Sequence, residues 1–122
     1  MKEYSKLLKK CDTSYKILHV SFLKKGHIKK IGYYSEDKKR ICTWIRYNQF
    51  DPDIVSIYEY SDSLETKRTY YSNNNLWKTS SYLNGKRHGT WKKYSKSDGW
   101  LVKEKTYENG KLIRKVKDPL SK

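Results

Sequence analysis

Cysteine is scarce: Cys11 and Cys42 are the only two in 122 residues. Two are too few for a disulfide framework, and neither has a second cysteine or a histidine at zinc-like spacing. Two unpaired thiols in a reducing compartment are therefore expected. Phenylalanine is limited to two residues, although aromatics make up 15% of the chain, with 12 Tyr and 4 Trp. Leu, Val and Ala are too few for a thick helical or α/β core. No apolar run approaches the ~20 residues of a membrane helix, which points away from a transmembrane protein. The N-terminus lacks the apolar stretch of a secretory signal. A collagen, a disulfide-rich miniprotein and a large enzyme are excluded by the same composition. The chain is also too aromatic for a disordered tail.

Acidic charge is the other shortage. Lys and Arg number 28 against 13 Asp and Glu, a net charge of +15. The excess sits in residues 1–40 and 81–122, and the middle is nearly neutral. Such a chain is attracted to polyanions, although lysine also keeps a thin sheet soluble.

Helical periodicity is nearly absent beyond residue 14. Stretches rich in Tyr, Trp, Ile, Val and Thr alternate instead with Gly, Asn, Asp and Ser clusters, the mark of strands and turns. Strands are expected at 15–23, 27–34, 41–48, 54–60, 66–72, 76–83, 89–95, 100–107 and 111–117. Every connection is too short for a parallel crossover, so successive strands are antiparallel. Residues 1–14 form an N-terminal extension in which Leu7 and Leu8 allow one amphipathic turn of helix, 15–117 the repeat domain, and 118–122 a C-terminal tail. The extension is read as a docking segment or, more boldly, a membrane-surface anchor.

A ring ladder supports this division. Tyr34, Tyr47, Tyr60, Tyr71, Tyr82, Tyr94 and Tyr107 recur every 11–13 residues. Because strands reverse, alternate rings fall on opposite margins: Tyr34, Tyr60, Tyr82 and Tyr107 on one, Tyr47, Tyr71 and Tyr94 on the other. The segment Thr43-Trp44-Ile-Arg-Tyr47 returns as Thr90-Trp91-Lys-Lys-Tyr94, with Cys42 in the place of Gly89. Asn84-Gly85 and Asn109-Gly110 are tight-turn steps, because both residues accept positive φ.

The run Tyr82-Leu-Asn-Gly-Lys-Arg-His-Gly-Thr-Trp-Lys-Lys-Tyr94, continued by Tyr107-Glu-Asn-Gly-Lys-Leu112, resembles a MORN-type repeat of the variant common in bacterial and large-virus proteins. Gly85, Gly89 and Gly110 occupy its glycine positions; upstream, residues 23–60 depart from that pattern. The resemblance implies an all-β fold, a single-layer elongated antiparallel sheet of successive hairpins with about eight or nine strands. It also implies a non-enzymatic scaffolding role, with anionic phospholipid binding proposed for some members and an antitoxin label on some bacterial relatives.

No catalytic constellation is recognisable. His88 belongs to a turn, His19 to mid-strand packing, and neither completes a nucleophile–base pair with Cys42. Asp51-Pro52-Asp53 is a turn. Gly85 to Gly89 lacks the Lys-Ser/Thr and the helix of a phosphate loop. No cofactor or metal is expected. The expected partner is a protein with an acidic surface, in an assembly such as a virus particle or as an immunity or antitoxin protein, in the cytoplasm or within such an assembly. Nucleic acid, an anionic membrane surface and self-association are the alternatives. Candidate binding residues are Lys29, Lys30, Lys38, Lys39, Arg40, Lys86, Arg87, Trp91, Lys92, Lys93 and Tyr94, where rings and cations alternate.

Overall fold

The computed structural model describes residues 16–23 and 26–117. Residues 1–15, 24–25 and 118–122, and with them the whole of the expected extension and tail, lie outside the described residues. The described chain is all-β. Ten strands run β1 (Ile17–Phe22), β2 (Ile28–Tyr34), β3 (Arg40–Tyr47), β4 (Val55–Ser61), β5 (Leu64–Tyr70), β6 (Leu76–Leu83), β7 (Lys86–Arg87), β8 (Gly89–Tyr94), β9 (Leu101–Glu108) and β10 (Lys111–Lys117). They form one open antiparallel sheet in the order β1-β2-β3-β4-β5-β6-β8-β9-β10, with β7 also on β6. Strands pair with their sequence neighbours, as short connections demand, except that β7 and β8 both pair with β6 and not with each other.

The turns follow from local chemistry. Asn84-Gly85 and Asn109-Gly110 carry positive φ at both residues, 52° and 79°, then 51° and 83°. That twist matches the strands they join. Two connections are tighter than the sequence implies. Asp62 takes φ 50°, so Ser61 pairs directly with Leu64 and β5 starts two residues earlier than expected. Lys86 and Arg87, expected in a turn, form β7 opposite Leu83 and Tyr82.

The main apolar cluster lies on one face of the central strands, while Trp44 and Tyr107 are buried on the other. Ile45, Tyr47, Val55 and Ile57 are buried in that cluster, with Ile28, Ile31, Tyr33 and Tyr70 packed around them. Cross-strand pairs Ile45↔Ile57 and Tyr47↔Val55 put these side chains on the same side.

Two bulges interrupt the hairpins at matching places. In β3 the residue with φ 61° is Cys42; at the start of β8 it is Gly89, with φ 72°. The 47-residue echo thus has a structural counterpart. Beside each bulge a tryptophan donates its indole N–H to a carbonyl across the ladder: Trp44 to Tyr33 at 2.9 Å, Trp91 to Ser81 at 3.0 Å. A tyrosine meets each indole edge-on, Tyr34 at 4.9 Å and Tyr82 at 5.3 Å between centroids. An arginine covers each, Arg40 at 4.9 Å and Arg87 at 5.4 Å. The same box is therefore built twice.

The expectation of unpaired thiols is corrected: Cys42 is disulfide-bonded. The other cysteine of the sequence, Cys11, lies outside the described residues. Pairing depends on the path of the chain in space, which the spacing of two cysteines does not carry. The inference of a reducing compartment, which rested on free thiols, loses its support.

Candidate functional site

The face opposite the core carries an unbroken cross-strand row. Register places Lys30 opposite Arg46, Arg46 opposite Ser56, and Ser56 opposite Thr69. It continues Thr69↔Lys78, Lys78↔Lys93, Lys93↔Lys103 and Lys103↔Lys117. Six of these eight paired positions are basic, and none is acidic. Lys67, Lys105 and Lys115 stand one pair further along the same face.

The bulges build this row. Extending the Tyr34↔Arg40 register would set Trp44 opposite Lys30; the bulge at Cys42 sets Arg46 there instead. Extending Tyr82↔Arg87 would set Trp91 opposite Lys78; the bulge beside Gly89 sets Lys93 there. In both hairpins an indole is moved off the row and a cation is moved onto it.

Like charges directly opposed on neighbouring strands destabilise a sheet. Like charge also crowds along a strand: repulsion from Lys105, two residues away on β9, with Lys115 and the opposed Lys93 adding to it, holds the Lys103 ammonium below the ordinary lysine range. The opposite face is compensated. There Arg68 pairs with Glu59 at 3.0 Å, and Lys92 approaches Glu104 at 4.0 Å.

At the two positions where the row loses its cations, a groove opens. Its floor holds Ser56 and Thr69, whose hydroxyls are 3.0 Å apart. Its volume is ≈ 350 Å³ and its lining includes Lys29, Arg46, Lys67 and Lys78. Phe50, Tyr58 and Trp77 add rings, and no lining residue is acidic. Phe50 projects from the β3–β4 turn with 87% of its surface exposed. Its turn is fixed by Asn48, whose Oδ1 accepts the backbone N–H groups of Phe50 and Asp51 at 2.8 and 3.1 Å.

Of the candidate residues, Lys29, Lys30, Arg40, Arg87, Trp91 and Lys93 reach this face. Trp91 is occupied by Tyr82, Tyr107 and Arg87, so it serves the fold. Lys38, Lys39 and Lys86 sit at the far ends of the hairpins, away from the row. Arg40 and Arg87 cover the two tryptophans. Lys92 lies on the opposite face beside Glu104. Tyr94 offers its carbonyl to the Tyr71 hydroxyl at 3.2 Å, tying neighbouring turns together. The repeat tyrosines Tyr34, Tyr60, Tyr82 and Tyr107 line the margin near the boxes, and Tyr47 is buried in the core. Sequence reasoning missed Arg46, Lys67, Lys78, Lys103, Lys105, Lys115 and Lys117. The available signal was the spacing of two in Lys103/Lys105 and Lys115/Lys117, which puts each pair on one side of a strand.

The described residues hold no group of three or more His, Cys, Asp or Glu side chains placed to bind a metal. No helix among them is long and apolar enough to cross a membrane. No family model, curated protein or solved structure matches the chain.

Proposed function

We propose that this protein is a non-enzymatic binding module that docks a polyanionic partner through the basic face of its hairpin sheet. The cross-strand row carries the reading. Solubility alone is served by scattered lysines or by cations interleaved with acids, as on the opposite face. Four consecutive opposed lysines, Lys78, Lys93, Lys103 and Lys117, weaken the sheet instead. A bound polyanion relieves that repulsion and releases its own counterions.

The row also bears on the shape of the partner. Neighbouring strands in a sheet rotate by about 20–25°, so seven steps turn the face normal by roughly 140° or more. A rigid acidic protein face or a planar anionic membrane meets only part of such a track. A flexible polyanion follows all of it. The repeated Trp boxes support the MORN-like reading of the scaffold, with the site on the face between the box rows and the turn margin.

Charge reversal tests the proposal on immobilised heparin. Lys78→Glu/Lys93→Glu/Lys103→Glu is compared with Lys38→Glu/Lys39→Glu/Lys86→Glu, which has the same net charge. The row variant is expected to elute at much lower salt than the turn variant, because only it removes aligned contacts. Equal elution of the two would mean that net charge, and not the row, does the binding.

A further inference from the structure

We infer that the groove over Ser56 and Thr69 is a base slot, and that the polyanion is a single-stranded nucleic acid whose phosphates follow the basic row. The inference rests on the proposed polyanion reading and names the ligand class. A ring-free polyanion, such as polyphosphate or an acidic peptide, needs cations throughout its track. This row gives up its cations at two adjacent strands and puts in their place a recess edged by rings. At ≈ 350 Å³ the recess falls in the size range of small-ligand pockets.

The chemistry of the lining separates into the parts a nucleotide needs. Lys29, Arg46, Lys67 and Lys78 surround the mouth with positive charge for the flanking phosphates. Phe50 presents an exposed ring for stacking. The hydroxyls of Ser56 and Thr69, on a floor where Thr69 is buried, offer donors and acceptors to a base edge. A duplex keeps its bases stacked inside and cannot fill the slot. Two other rings of the groove are covered by the protein's own cations, Lys67 over Tyr58 at 5.2 Å and Lys78 over Trp77 at 4.7 Å. Phe50 is therefore the ring on which stacking selectivity depends.

The test uses the full chain and fluorescence anisotropy with a labelled oligo-dT of about ten nucleotides, within the footprint such faces occupy. Competitors are inorganic polyphosphate, the corresponding duplex, polyglutamate and anionic vesicles. The wild type should bind oligo-dT more tightly than duplex, with an affinity that falls steeply with salt. Phe50→Ala, an exposed change that leaves the core intact, should weaken oligo-dT binding about tenfold and leave polyphosphate binding unaltered. If Phe50→Ala weakens neither, the slot is wrong while the polyanion face stands. Preferential displacement by polyglutamate or vesicles would overturn the nucleic-acid assignment. Failure of every polyanion to bind would overturn the proposed function itself.

Discussion

Single residues set the limits of this fold where space or charge is tightest. Gly32 lies under the Trp44 ring, and a Cβ there would stand 2.1 Å from an indole carbon. Gly32→Ala should therefore destabilise the protein by about 1–3 kcal/mol, the usual cost of overpacking, read as a lower urea midpoint. An unchanged midpoint would show that the ring can move aside. Tyr60 is pushed up to about 12, chiefly by burial; Arg40 at 3.3 Å works the other way, and Glu65 adds to the rise. In the unfolded chain a tyrosine titrates near 10, so between pH 10 and 12 the folded state holds the extra proton. Stability is then present below pH 10 and falls as pH rises through that window. Absorbance at tyrosinate wavelengths should show a ring titrating near pH 12 that is lost in Tyr60→Phe. Thiol titration of the unreduced, unfolded protein should find Cys42 unreactive, in line with its disulfide; a reactive Cys42 would contradict the structure.

At the scale of elements, the bulges link sequence to site. Gly89 has φ 72°, and a Cβ there would meet Ser81 Oγ at 3.2 Å. Gly89→Ala should cost about 1–2 kcal/mol of stability, because an L side chain resists this backbone conformation. It should also lower heparin affinity, since the same bulge puts Lys93 opposite Lys78. Loss of stability with heparin affinity retained would separate the bulge from the row. Much of the sheet was legible in the sequence, because Asn-Gly turns and ring-rich segments report locally. β7 was not legible, because Lys86 and Arg87 read as turn residues and become a strand only by pairing with Leu83 and Tyr82. The row was not legible either. Lys30, Lys78 and Lys103 are distant in the chain, and their alignment depends on registers that the bulges shift by two residues. Alternation within a strand gives a residue's face but not its neighbour on the next strand.

At the scale of the whole molecule, a net charge of +15 with cations gathered on one face makes the protein self-repelling. Raising salt from about 0.05 to 0.5 M should raise the Tm by screening the opposed lysines. A Tm that falls over this range would mean that attractive pairs, such as Arg68–Glu59, outweigh the row. In the proposed complex a polyanion lies along Lys30, Arg46, Lys78, Lys93, Lys103 and Lys117. Lysine acetylation footprinting with and without saturating oligo-dT tests it most directly. Lys30, Lys78, Lys93, Lys103 and Lys117 should become protected while Lys38, Lys39, Lys86 and Lys92 stay reactive. Uniform protection of both groups, or protection confined to the turn lysines, would contradict it.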